Sequence, residues 1–226
     1  DYLALVEQYD GVLDAVRLKG KLYCFPSIQE AQDMNSTHGG GILVRKDIMK
    51  GLGIDTPKTI EDFYGMWKTV KEQTDYIPFS TAGSNFSAIR AAFRVALEYK
   101  EVGDKLEYIW IQPEYKEYLA FMNRLYSEGL LDQEYITSTG VNLTEKFMGD
   151  QLYSTNTGWA YACVQIRDIG EKISGAEMEF LPQPSGPNGT KALLFWGWPV
   201  QKMWVVPKAA KNKEAAAKFM NYMATK

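Results

Sequence analysis

The residues of this chain that could do chemistry are aromatic and amide side chains set where short strands run into small-residue loops. Three sets stand out: Ser84, Asn85 and Phe86; Asn156, Trp159 and Tyr161; Trp196 and Trp198. An indole or phenol offers a flat apolar face, and its N–H or O–H can still bond a polar ligand. Aromatic walls with a few amides and hydroxyls match a small polar ligand. Sugars fit such walls well, because their C–H faces stack on rings and their hydroxyls bond Asn, Asp and Glu. Glu30 and Asp33, in a polar turn-rich segment, are acidic candidates for facing a ligand. Asp150, after Gly149, is expected to serve a turn. The plain alternative for Trp159 is that it fills the core beside its strand.

Catalytic and metal signatures are missing from the sequence. The single His38 has no nearby Cys or clustered acids, so no zinc site is expected. There is no GxSxG elbow, HExxH or P-loop. Gly39-Gly40-Gly41 precedes a strand, the reverse of a dinucleotide fingerprint, and reads as a flexible connection. Cys24 and Cys163 form neither a disulfide framework nor a CxxC pair. Neither a cofactor nor a metal is therefore expected. Glycoside hydrolysis needs two converging carboxylates, and with 28 acids in the chain that reading stays open.

Composition sets the outer bounds. The chain has 226 residues, 46% hydrophobic and 23% charged, with formal charge −3. That is an ordinary globular composition, enough for one large domain or two small ones. Near-balanced charge argues against a nucleic-acid footprint. Aromatics make up 13% of the chain, which hints at a surface that stacks on flat or sugar-like groups. No apolar run is long enough to span a bilayer, and no signal peptide is seen. The chain starts at Asp1 without Met, so a mature or truncated piece is expected. Sequons at Asn35, Asn85, Asn142 and Asn188 read as chance.

The elements that must position these residues follow from periodicity and punctuation. Residues 1–18 lean to helix with a break at Gly11. Lys19-Gly20 make a turn, and Leu22 to Phe25 make an extended run that Pro26 ends. Ile42 to Val44 form a buried strand, and Asp47 starts a short helix. Thr59 and Asp62 make a capping box for a helix with Ile60, Phe63, Trp67 and Val70 on one face. Ile77 to Thr81 read as a strand, followed by a helix striped by Ile89, Phe93 and Leu97. Pro113 opens a helix through Leu119, Met122, Leu125 and Tyr126, which Gly129 caps. A short strand at Leu152 to Ser154 leads into a loop, Thr155 to Gly158, that presents Trp159 and Tyr161. Val164, Ile169 and Ile173 mark another helix, and Met178 to Leu181 another strand. The Pro/Gly-dense stretch after Leu181 is the best linker or hinge. The last helix carries Ala216, Phe219, Met220 and Met223 on one side.

Several segments together resemble the extracellular solute-binding proteins of bacterial ABC importers, family 1, the sugar-binding type related to maltose-binding protein. They are GKLYCFP (20–26), ILVRKDIMKGLGIDTPKTIEDF (42–63), YLAFMNRLYSEGLLDQE (118–134), KFMGDQLYSTNTGWA (146–160), LPQPSGPNGT (181–190) and VVPKAAKNKEAAAKFMNYM (205–223). Their order and spacing carry the match. The resemblance implies an α/β fold of the periplasmic-binding-protein type II, with ligand clamped between two lobes. It implies that 26–184 form a largely complete C-terminal lobe and that 1–25 with 185–226 form part of the N-terminal lobe. Trp159 falls where such proteins place a sugar-stacking tryptophan, with Asn156 as its polar partner, and Ser84 to Phe86 fall near another cleft loop. The implied function is a non-enzymatic receptor delivering an oligosaccharide to ABC permease subunits. It would be periplasmic or held at the cell surface by a lipid anchor outside this chain. Such proteins usually have roughly a hundred more residues before this start, so exposed strand edges and apolar area are expected in the partial lobe. A carbohydrate-active enzyme and a protein-interaction module are the alternatives.

Overall fold

The computed structural model describes residues 2–9, 11–28, 40–96, 98–187, 189 and 200–224. Two compact units form, Asp1–Ser36 with Phe195–Lys226, and Thr37–Leu194. The smaller begins with α1 (Tyr2–Val6) and α2 (Val12–Ala15), broken where expected at Gly11, which adopts φ 73°. Strands β1 (Arg17–Leu18) and β2 (Lys21–Leu22) form a hairpin whose turn residues, Lys19 and Gly20, both have positive φ. Mirror-image turns of this kind match the twist of the flanking strands. The extended run then departs from expectation. It stops at Leu22, and a new strand, β3 (Phe25–Ile28), starts before Pro26 and runs through it. Proline is tolerated there because, among the described residues, β3 pairs with a strand on one side only.

The larger unit is built on β4 (Gly41–Arg45), buried at every position. α3 (Lys46–Gly51) follows at once. α4 (Ile60–Gln73) starts with the expected capping box: Thr59 Oγ1 accepts from the Asp62 N–H, and the Asp62 carboxylate accepts from the Thr59 N–H at 2.8 Å. Its buried face is Ile60, Phe63, Met66, Trp67 and Val70. Trp67 stacks on Phe79 at 4.6 Å. α5 (Ser87–Ala92) is shorter than expected and stops ahead of Arg94, which has positive φ; Leu97 lies outside the described residues. β5 (Tyr99–Val102) and β6 (Lys105–Tyr108) make a hairpin turned by Gly103.

α6 (Pro113–Ser127) buries Tyr118, Phe121 and Leu125, while Leu119 and Tyr126 are about half exposed. The inward face is therefore turned from the expected stripe, because the rings of Tyr118 and Phe121 pack on Phe93. Gly129 ends the helix with φ 68°. α7 (Gly140–Met148) has its own capping box from Thr139 and Asn142.

β7 (Ser154–Thr157) overturns an expectation. Residues read as the start of a polar loop form a fully buried strand. It pairs antiparallel with β4, Ile42 opposite Asn156. The strand is tolerated inside because its polar atoms are bonded: Ser154 Oγ accepts from Trp67 Nε1 at 2.9 Å and donates to the Pro78 carbonyl at 2.6 Å. α8 (Trp159–Lys172) buries Ala162, Gln165 and Ile169 and leaves Val164 exposed. β8 (Met178–Leu181) pairs with the other side of β4, giving the order β7-β4-β8. Residues 77–80 extend this sheet through single parallel bridges, Ile77 to Leu152 and Ser80 to Thr155, with Phe79 bridging on to Leu131. The strand expected at 77–81 is thus a set of bridges.

The glycines before β4 are packed, not loose. A Cβ on Gly41 would strike the Leu181 carbonyl oxygen and come within 2.7 Å of the Phe180 ring. Gly40 has φ 111°, and a Cβ there would lie 2.9 Å from Ser87 Oγ. Only glycine fits both constraints, which replaces the reading of Gly40 and Gly41 as a flexible connection; Gly39 lies outside the described residues.

The smaller unit closes with β9 (Val200–Trp204), antiparallel to β3 with Phe25 opposite Trp204, and α9 (Lys213–Ala224). Tyr2 ties these parts together. Its N–H donates to Asn221 Oδ1 at 2.9 Å, its hydroxyl donates to the Pro26 carbonyl, and its ring meets Phe25 edge to face. On α9, Phe219 and Met223 are exposed, as are Met203, Trp204 and Val205 at the end of β9.

Candidate functional site

Of the residues singled out from sequence, Ser84, Asn85, Phe86, Asn156 and Tyr161 fall around one end of β7. Asn156, the third residue of that strand, is 2% exposed. Its Oδ1 accepts from the Ala88 N–H at 2.8 Å, and its Nδ2 donates to Ser87 Oγ at 3.0 Å and faces Asn85 Oδ1 at 3.4 Å. The strand is thereby joined to the first turn of α5. That turn needs an outside acceptor, because its N-cap position is Phe86, which has no oxygen to offer.

The loop before α5 is held from further sides. Thr81 Oγ1 donates to the Asn85 carbonyl at 2.7 Å. The Gly83 N–H donates to the Ser138 carbonyl at 2.9 Å. Phe86, 5% exposed, lies between Phe79 and Tyr135, with ring centroids at 6.3 and 5.3 Å. Phe86 and Asn156 are therefore spent on packing within the unit, and the exposed side chains of the loop are Ser84 and Asn85. Tyr161, in the first turn of α8, is 76% exposed. Trp159 opens that helix after Gly158; its side chain lies outside the described part. Glu30, Asp33, His38, Trp196 and Trp198 also lie outside the described residues.

Two ionic clusters brace the sheet. Beside Ser80, the Asp132 carboxylate accepts from Lys146 Nζ at 2.6 Å and from Ser80 Oγ at 2.7 Å. Burial pushes the Asp132 carboxyl up, but these bonds outweigh it and hold it below the usual carboxylate range. Lys146 also reaches Glu134 at 3.2 Å. At the start of the 77–80 segment, buried Arg45 grips Asp47 through Nε (2.9 Å) and Nη2 (2.7 Å) and also bonds Asp150. Asp150 has φ 56° and accepts from the Tyr76 hydroxyl, so it serves the turn as expected. Asp47 is held low by Arg45, against the upward push of burial. These acids are occupied by cations, and among the described residues no group of His, Cys, Asp or Glu is arranged to hold a metal.

Sequence reading missed Thr81, Ser87, Ser138 and Tyr135, which shape the loop without facing solvent as a set. One signal was available: a helix start at Phe86 lacks a capping side chain and must find one elsewhere.

An antiparallel three-stranded core extended by parallel bridges and flanked by helices defines an α/β unit of the periplasmic-binding-protein-like class. The family model of the bacterial extracellular solute-binding proteins matches residues 11–226, and the chain belongs to that family. It is similar to the fructooligosaccharide ABC transporter substrate-binding protein FusA of Streptococcus pneumoniae serotype 4, at 27% identity, over 89% of this chain and 40% of that protein. It is also similar to the polygalacturonan/rhamnogalacturonan-binding protein YtcQ of Bacillus subtilis, at 24% identity, over 90% and 41%. The structure of FusA in complex with kestose superposes with TM-score 0.67 at 24% identity, over 98% of this chain and 48% of that one. The chain thus spans about 40% of the curated relatives' length. No helix among the described residues is long and apolar enough to cross a membrane.

Proposed function

We propose that this chain is part of an extracytoplasmic receptor that binds an oligosaccharide and hands it to the permease subunits of an ABC importer. The single observation that carries the reading is the rigid setting of Ser84 and Asn85: exposed polar side chains on a loop braced from below by Thr81, Ser138 and Asn156. A preorganised set of hydroxyl and amide groups loses little freedom when it bonds a sugar. Tyr161 adds an exposed ring in the first turn of α8, suited to a pyranose or furanose face. Trp159, Glu30, Trp196 and Trp198 are further candidate contacts on the sequence reading alone. The larger unit corresponds to the C-terminal-type lobe and the smaller to part of the N-terminal-type lobe. Binding, not turnover, is the proposed task, and the parent protein works outside the cytoplasm on a lipid anchor beyond this chain. FusA and YtcQ, named for fructooligosaccharide and polygalacturonan/rhamnogalacturonan, support the sugar class.

Isothermal titration of the chain with kestose, stachyose and oligogalacturonate tests this. The expected result is saturable heat with at least one of them, weakened several-fold by Tyr161→Ala. Absence of heat and of any thermal shift with all three sugars overturns the reading.

A further inference from the structure

Asn156 sits where a ligand-contacting amide is expected, yet its side chain points into the protein's own backbone. We infer that Asn156 is a positioning residue: it caps α5 from the neighbouring strand and thereby sets the placement of Asn85 and Ser84. The inference rests on the proposed sugar-binding reading for its consequence, though not for its geometry.

The geometry has three parts. First, the amide is 2% exposed, so a bulk ligand has no path to its polar atoms without displacing the loop. Second, both polar atoms are engaged. Oδ1 takes the Ala88 N–H at 2.8 Å, and Nδ2 gives to Ser87 Oγ at 3.0 Å while lying 3.4 Å from Asn85 Oδ1. Third, the helix it caps has no capping oxygen of its own at Phe86. The first-turn N–H groups of a helix need such partners, and β7 supplies one across 68 residues of sequence. The strand itself cannot drift, because Asn156 is paired with Ile42 on β4 and its neighbour Thr155 is bridged to Ser80. The amide therefore transmits the position of the sheet to the loop. Ser87 lies on the same path, since Gly40 approaches its hydroxyl so closely that a Cβ would come within 2.9 Å.

A positioning residue and a contact residue behave differently in two measurements. Hydrogen exchange of the whole chain is read first, without ligand. In Asn156→Ala the amides of residues 84–88 should exchange at least tenfold faster, with α4 unchanged. Asn156→Asp, which keeps an acceptor for the Ala88 N–H, should restore most of the protection and also serves if the alanine variant fails to fold. Unchanged protection at 84–88 in both variants overturns the inference.

The second measurement is a double-mutant cycle with Asn85→Ala, titrated with kestose. Asn156→Ala should weaken kestose binding in the wild-type background. In the Asn85→Ala background it should add less than a twofold further loss. Losses that multiply in full place Asn156 on the ligand and overturn the positioning role. If the wild-type chain binds no sugar at all, the functional reading falls, while the exchange result still decides whether Asn156 sets the loop.

Discussion

The two units differ in the aromatic core they build. In the larger one, Phe63, Trp67, Phe79, Phe147 and Tyr153 are completely or almost completely buried. In the smaller, Tyr23, Trp204, Phe219 and Tyr222 are each more than half exposed, and among the described residues the buried cluster is Tyr2, Val6 and Val12. Burial of apolar area is the main source of stability, so the larger unit has a core able to hold its surface loops still. The smaller has the ingredients of a core with much of its apolar surface facing water. Contiguous exposed apolar surface marks a place where something else packs.

The sharpest test of this contrast is Trp67→Ala. It removes a fully buried ring that stacks on Phe79 and takes away the N–H that Ser154 Oγ accepts, leaving that hydroxyl only its bond to the Pro78 carbonyl. A loss of about 3–5 kcal/mol is expected, read as a lower urea midpoint for the larger unit. A loss under about 1 kcal/mol would mean that this core is not what stabilises it.

Next in size is Asp132→Ala, which leaves Lys146 beside the sheet without its closest carboxylate. About 2–3 kcal/mol should be lost, short of the cost for a wholly buried pair because Lys146 is partly exposed. The same carboxylate gives a pH signature. Its folded pKa lies below the unfolded value, so its contribution is complete above the ordinary carboxylate range. That contribution disappears as pH falls through the depressed folded value. Urea midpoints at pH 7 and pH 3 should therefore differ less in Asp132→Asn than in wild type. An equal acid loss in the two proteins would assign the acid sensitivity to another group.

The smallest effect belongs to the smaller unit. Phe219→Lys replaces a ring that is 58% exposed, so stability should move by no more than about 0.5 kcal/mol. Sedimentation should show less self-association at high concentration. A clear destabilisation would show that Phe219 packs in solution and would erase much of the contrast.

The parts of the fold legible in sequence are those with a local cause. The Thr59–Asp62 box and the Ile60, Phe63, Trp67, Val70 face needed only neighbouring residues to be read. Asp150 was readable as a turn residue for the same reason. β7 was not legible, because Ser154 to Thr157 carry no apolar alternation and their burial depends on Trp67 and Pro78, far away in sequence. The face of α6 was misread by a small rotation, since two registers of that helix are about equally apolar and Phe93 decides between them. At the candidate site, the loops picked out from sequence mix two kinds of residue. Ser84, Asn85 and Tyr161 are exposed, whereas Asn156 and Phe86 are buried for reasons that lie across the sheet.

Pro26 has a further effect on the two-stranded sheet of the smaller unit. It has no N–H to give, and its carbonyl is already taken by the Tyr2 hydroxyl. A strand arriving along the outer margin of β3 would meet, at its middle, neither a donor nor a free acceptor. Growth of that sheet is therefore one-directional: among the described residues, the margin open to a newcomer is that of β9.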